Sequence, residues 1–334
     1  MKTNKLTTLI ILIFGVSFLS CGSGDDNGDL TTEFGAVFVS SNTTPVVGIY
    51  DFSSSSVSSV QFGLSSTDSD GIIYSSDSDE LYIASRSNNR VEVYTNLKET
   101  EASLNLNLAF SSSQDFVNAR KMASSGNKLV VSQDASDGNN QTNAFYVYEV
   151  GGNAATLSNT YTTDIHLWDI QFSGNSLYAI QDNSDTLAVY NNFLSNSDGL
   201  VSPSIKVQIE GIVRTHALYY SASTDIMFLS DIGDAASDSD GAIHVINNFS
   251  SKFSAAGNNG TISLSDQIVI EGSSTELGNP VGLAYDNEAQ KIYVAERAVD
   301  GGKLLEFDLP STNGNASPTF SQNFAGAAAV YLAN

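Results

Sequence analysis

Short runs of alternating apolar and polar residues recur along this chain at a nearly constant spacing, separated by clusters of Ser, Asn, Asp and Gly. Alternation with period two marks strands with one buried face, and the polar clusters supply the tight turns between them. The strongest runs are Val37-Phe-Val-Ser, Leu81-Tyr-Ile-Ala, Leu129-Val-Val-Ser, Leu177-Tyr-Ala-Ile, Met227-Phe-Leu-Ser and Ile292-Tyr-Val-Ala. Their starts lie 44, 48, 48, 50 and 65 residues apart. Each is followed by a second run: Val47–Tyr50, Val91–Tyr94, Phe145–Tyr148, Leu187–Tyr190, Ile243–Ile246 and Leu304–Phe307. More polar runs come next, as expected of strands with a wet face: Val60–Phe62, Leu104–Leu108, Leu157–Tyr161, Ile205–Ile209, Gln267–Ile270 and Thr319–Phe320.

A period in the high forties containing four strands is the spacing of β-propeller blades. A sandwich would not place six copies in register, and the turns of a parallel β-helix are much shorter. The remaining, innermost strands are Ile72–Tyr74, Arg120–Met122, Trp168–Ile170, Leu218–Tyr220 and Leu283–Tyr285. The first unit lacks one, and a spare copy, Ala327–Tyr331, stands at the end of the chain. The sequence therefore predicts an all-β, six-bladed propeller over residues 34–334, its ring closed by the C-terminal strand completing the N-terminal blade, which removes an open edge. The long fifth interval is read as an insertion, Ser250–Ser263, within blade five; a degenerate extra blade is the alternative.

The stretch Val281–Leu309, VGLAYDNEAQKIYVAERAVDGGKLLEFDL, carries the pattern most clearly. Its G-L-A-Y-D…I-Y-V-A-E…K-L-L-E-F-D resembles the repeat of NHL and YVTN-type β-propellers. That resemblance implies architecture and no particular activity, because such propellers host many functions.

Residues 1–20 read as a targeting segment: Lys2 and Lys5, then an apolar run, Leu9–Leu19, too short to span a bilayer. Phe18-Leu-Ser-Cys21 resembles a bacterial lipobox, and Cys21, the only cysteine, fits the position that is cleaved and acylated. An ordinary secretory signal with an incidental cysteine is the alternative. Residues 21–33 contain the acidic tether Asp25-Asp-Asn-Gly-Asp29, like the tags that send some Gram-negative lipoproteins to the cell surface. These features predict an outer-membrane lipoprotein of the cell envelope.

Charge adds a constraint. The formal net charge is −23, and loss of residues 1–20, with two lysines and no acid, makes it −25. Such a surface repels nucleic acid and favours cations and cationic partners. The acids concentrate in the loops between second and third strands and between blades, so one rim is long, variable and acidic, and is the expected working face. Asp68-x-Asp70-Gly71 and Asp238-x-Asp240-Gly241 suit a calcium ion as tight carboxylate turns; both lack the leading Asp and closing Glu of an EF-hand loop, and Asp and Gly are also default turn residues.

Counting back from the inner-strand ends places Asp70, Asn118, His166, His216, Val281 and Ala327 at the channel entrance. Ile72, Arg120, Trp168, Leu218, Leu283 and Ala329 come one layer deeper. Asp164 and Arg214 precede the histidines by two residues and are expected at the mouth. Three readings are open. His166 and His216 with Asp164 or Asp70 bind a transition metal and activate water. Or Trp168, Arg120, Arg214 and the histidines bind a sugar or peptide. Or both histidines make blade-to-blade hydrogen bonds and Trp168 plugs the channel. His244, in a third strand, is expected to be structural.

Gly-x-Ser-x-Gly, His-Glu-x-x-His, Cys-x-x-Cys and Gly-Lys-Ser/Thr motifs are absent. Gluconolactonase-type propellers hold a metal with acidic and amide residues at the mouth; Asp70 and Asn118 are counterparts by position, and the rest of that pattern does not match. The sequence thus points to a binding module for a protein, peptide or glycan, with a metal-dependent hydrolase or lactonase using the same mouth as the alternative.

Overall fold

A computed structural model describes residues 36–102 and 104–333; the targeting segment, the tether and Cys21 lie outside them. Six antiparallel sheets follow one another around a ring. Blade one contains Ala36–Ser41, Val46–Asp51 and Ser58–Gly63, with Ala327–Leu332 as its innermost strand. Val37 pairs with Leu332, Phe38 with Tyr331 and Val39 with Val330, so the chain end closes the ring.

From the channel outward, blade two is Ser69–Ser75, Glu80–Ser85, Arg90–Thr95 and Asn107–Ser111. Blade three is Ala119–Ser125, Lys128–Gln133, Asn143–Gly151 and Ala154–Thr163. Blade four is Leu167–Ser173, Ser176–Gln181, Thr186–Tyr190 and Ile205–Ile209. Blade five is Leu218–Ser221, Ile226–Asp231, Ala242–Asn247 and Ile268–Glu271. Blade six is Pro280–Asp286, Lys291–Glu296, Lys303–Asp308 and Phe320–Asn323.

The core lies between adjacent blades. Third strands carry Tyr50, Tyr94, Tyr148, Tyr190 and Phe307, all buried. Tyr50 packs edge-on against Phe320 and Phe324, joining blade one to blade six and the closing segment. Full burial of such a side chain stabilises the fold by roughly 1.5–3 kcal/mol.

Two outer elements differ from expectation, for one shared reason. Blade two's fourth strand starts at Asn107, not Leu104, because the preceding residues are drawn to blade one. There Gly63 donates to Leu104 O and Leu106 donates to Gly63 O, both at 2.9 Å. The insertion Ser250–Ser263 is likewise more than a loop. It holds most of a helix, Phe249–Ala256, and a strand, Gly260–Ile262, which pairs parallel with the outer strand of blade four. Gly199–Leu200 does the same for blade three, and Gly314 bridges Ile270 in blade five.

In four blades, then, the connection into the next blade's fourth strand covers the outer edge of its predecessor. Asp198, Asn258 and Asn313 help by accepting edge N–H groups from Thr160, Lys206 and Val269 (3.1, 3.0 and 3.0 Å). An exposed row of unpaired N–H and C=O groups invites pairing with other chains, and these caps occupy it.

Candidate functional site

The register of the inner strands decides what meets at the channel. Five of the six inner strands carry one extra residue near the acidic rim, where two residues oppose one on the second strand. The pairs are Asp70-Gly71, Arg120-Lys121, Trp168-Asp169, Val281-Gly282 and Ala328-Ala329. In blade five His216-Ala217 stands at this level, with both backbone N–H groups directed at Ser230 Oγ (3.4 and 2.8 Å). A β-bulge re-aims side chains, and here it turns them toward the axis.

Asp70, Arg120, Trp168 and His216 therefore share one tier, on four consecutive blades. The expected tiers are corrected: His166 and Asn118 lie one step above His216, level with Asp68, Arg214 and Asn279. The carbonyls of Asp68, Asn118, His166, Arg214 and Asn279 accept from Arg86, Asp134, Asp182, Ile232 and Arg297 at 2.8–3.2 Å, one per blade. In blades three and four the inner strands run to Ser125 and Ser173, beyond the ends assumed from sequence. A two-residue slip preserves the alternation, so hydrophobic pattern alone could not detect it.

The four tier-mates form a continuous stack. Arg120 Nη1 lies 3.5 Å from Asp70 Oδ2, and its guanidinium carbon sits 3.8 Å over the Trp168 ring. Trp168 lies flat on His216, with ring centroids 3.5 Å apart and planes 7° from parallel. The planar guanidinium suits both the carboxylate on one side and the indole face on the other. Trp168 is buried between Arg120 and His216.

Above the stack is a ring of paired charges. Arg86 bonds Asp70 Oδ2 (3.1 Å) and Asn118 Oδ1 (3.0 Å) and approaches Asp68 (3.6 Å). Asn118 adopts φ +69°, a left-handed conformation that Asn tolerates well, and its amide donates to Asp134 O (3.0 Å). Asp134 joins Arg120 Nη2 (3.3 Å) to His166 Nδ1 (3.0 Å). Asp182 accepts from Arg214 Nε and His216 Nε2, both at 2.9 Å.

Arg86, Asp134 and Asp182 were not singled out as site residues, yet they organise it. All three occupy the position just after a second strand, shared by Asn42, Ile232 and Arg297. Reading that column of the repeat would have found them. The residue before it in three blades anchors the loop entering the same blade. Gln133 accepts from Val117 N, Asp231 from Val213 N and Arg214 N, and Glu296 from Gly278, Asn279, Ala298 and Val299.

Electrostatics follow from burial and pairing. Burial opposes ionisation of Asp182, but hydrogen bonds from His216 and Arg214 outweigh it and hold the carboxyl well below the usual range. Burial likewise opposes ionisation of Asp70, and Arg86 and Arg120 outweigh it. Burial pushes the His216 imidazole down to about 4 despite Asp182. His216 is thus neutral near pH 7, donating from Nε2 and leaving Nδ1 buried without a partner among the described residues.

A stability signature should result. Between pH 6.5 and 4 the unfolded imidazole gains a proton that the folded one refuses, so His216 makes stability fall as pH drops through this window. At most about 3 kcal/mol is involved. His216→Gln is expected to lose less stability than wild type between pH 7 and 4.5 in urea titrations. Parallel losses in the two proteins would overturn this assignment.

The other sequence candidates are dispersed. His166 has a side chain 49% exposed, whereas that of His216 is 4% exposed, and they sit in different tiers on different carboxylates. Asp164 is exposed, away from the stack. Asp68 and Asp70 face Arg86, and Asp240 accepts the Asp234 N–H (3.0 Å) beside exposed Asp238. Among the described residues no three His, Cys, Asp or Glu side chains are grouped to hold a metal ion. His244 is buried on Gln267 Oε1 (2.7 Å).

Two concave sites lie on the opposite face, among the short turns. A 550 Å³ groove is lined by Phe52, Tyr219, Tyr220, Tyr285 and Tyr293, with Asp286 and Glu288 at its side. The channel itself holds a 290 Å³ cavity whose lining includes Lys121 and Asp169.

No family model and no curated protein matches this sequence. Solved structures do. A chain of a nidogen/laminin complex superposes with TM-score 0.61 at 10% identity, covering 89% of this chain and 97% of that one. A candidate 6-phosphogluconolactonase from Bacteroides uniformis gives 0.59 at 11% identity, covering 90% and 99%. The WD40 β-propeller domain of Doa1 gives 0.51 at 10% identity, covering 88% and 80%. At such identities the shared property is the fold: this chain is a six-bladed β-propeller.

Proposed function

We propose that the protein is a binding module: an envelope lipoprotein, anchored through Cys21, whose NHL/YVTN-like propeller recognises a cationic protein or peptide with its acidic-loop face. The observation that carries this reading is the ring of mutually paired charges at the centre of that face. Arg86, Arg120 and Arg214 are each fixed by Asp68, Asp70, Asp134 or Asp182, so the mouth is a rigid platform. Around it Asp137, Asp234, Asp238 and Asp240 stand exposed. A preorganised centre limits the entropy lost on binding, and an acidic surround accelerates encounter with a cationic partner.

The test is binding of lysine- and arginine-rich peptides, and of neutral glycans, to wild type and to a variant carrying Asp137→Asn, Asp234→Asn and Asp238→Asn. The variant is expected to bind the cationic peptides about tenfold more weakly, with a shallower salt dependence. Equal binding by both proteins, or binding of glycans alone, would remove the proposal. A stoichiometric divalent ion in purified protein would move the function toward a metal-dependent hydrolase at the same mouth.

A further inference from the structure

The channel cavity on the opposite face contains features that neither the fold nor the acidic rim accounts for. Six apolar side chains line it, one from each inner strand: Ile72, Met122, Ile170, Leu218, Leu283 and Val330. Tyr219, Tyr331 and Phe172, partly exposed, also line it. Its lining includes two charged side chains, Lys121 and Asp169, each at least nine-tenths buried. They are the second residues of the bulges in blades three and four, directly beneath Arg120 and Trp168.

Neither group is spent on its neighbours. Lys121 Nζ donates to the carbonyls of Asp70 (3.2 Å) and Ala328, which uses two of its three N–H bonds. Asp169 accepts one backbone N–H on each oxygen, from Ile170 (2.8 Å) and Leu218 (3.0 Å), and a carboxylate has about four acceptor sites. Burial lowers the Lys121 ammonium to about 8 and raises the Asp169 carboxyl to about 6, while each charge favours the other. Two desolvated, opposite charges in the lining of one cavity are expensive unless their remaining hydrogen-bonding capacity is used.

We infer that this cavity is a ligand site for a small amphipathic molecule with an apolar body and an uncharged head that both donates and accepts, such as a primary amide or an alcohol. The head accepts from Lys121 and donates to Asp169, and the body lies along the aliphatic walls. A carboxylate head would meet Asp169 and an ammonium would meet Lys121, so a third charge is disfavoured by whichever member of the pair matches it. Size agrees: an apolar cavity of about 150 Å³ holds benzene, and this one has room for a ring with a polar substituent. The site is separate from the acidic rim, and its test stands or falls independently of the peptide binding proposed above.

Trp168, the only tryptophan, is the residue next to Asp169, so its fluorescence reports on the cavity. Titration of the full chain with benzamide is expected to give a saturable fluorescence change and a rise in melting temperature. Toluene, benzoate and benzylammonium should each bind at least tenfold more weakly. Lys121→Met should abolish the benzamide response. Because that variant leaves two carbonyls without their donor and could fail to fold, Ala329→Leu serves as the second variant: it fills the lumen, keeps both charges and should also abolish binding. No saturable response to benzamide in wild type, unchanged binding in folded Ala329→Leu, or equal binding of toluene or benzoate would each overturn the proposal.

Discussion

Truncation after Asn323 should abolish cooperative folding of the entire propeller rather than fray one end. The removed strand pairs with Val37 to Ser41, and its residues Ala327, Ala328, Ala329, Val330 and Leu332 are buried. Without it, a row of backbone groups on the channel side of blade one loses its partners, at roughly 1–3 kcal/mol for each group left buried and unpaired. Phe324 would no longer pack on Tyr50, and Lys121 would lose the Ala328 carbonyl. Several such losses exceed the roughly 5–15 kcal/mol by which domains are usually stable. The truncated chain should show no sigmoidal urea transition and no near-ultraviolet circular dichroism. A transition matching that of the full chain would show that the six sheets do not depend on closure.

Trp168→Ala is the single substitution with the largest expected cost, about 4 kcal/mol. The indole lies between Arg120 and His216 in the stack, so its loss takes the aromatic face from both. Water admitted to the void would also relieve the desolvation that keeps His216 neutral, and its titration should move back toward 6.5. Urea unfolding measures the first effect, and NMR titration of the His216 ring the second. A cost below about 1 kcal/mol would mean that the channel closes over the gap, and that the stack is a consequence of packing rather than a contributor to it.

The architecture was legible because it is written six times. Second and third strands such as Leu81–Ala84 and Val91–Tyr94 repeat with the same alternation, and a spare inner strand at the chain end admits one closure. The outer strands were less legible: they are polar, and in blade two the residues Leu104–Leu106 alternate as well as a fourth strand yet pair with Gly63. The site was only partly legible. Trp168, Arg120 and His216 were recognised as channel residues because they break an apolar pattern. Their common level was hidden because the inner strands of blades three and four run further than the pattern suggests, and a two-residue slip leaves the alternation unchanged. Asp134 and Asp182 could not be told from turn acids, because composition cannot distinguish a carboxylate that serves a turn from one that reaches an arginine or histidine of the channel.

The overlapping outer edges impose a direction on assembly. The open flank of blade one is sealed by residues of blade two, that of blade three by blade four, that of blade four by blade five, and that of blade five by blade six. At these four blades a chain emerging from its N-terminus therefore carries an unfinished flank, completed only by what is made next, like roof shingles laid in one order. Arrest or cleavage partway through synthesis would leave a sticky, strand-ready margin at each such stage. Propellers of this kind should consequently be most vulnerable to aggregation while still being made, and most dependent then on whatever escorts the nascent chain.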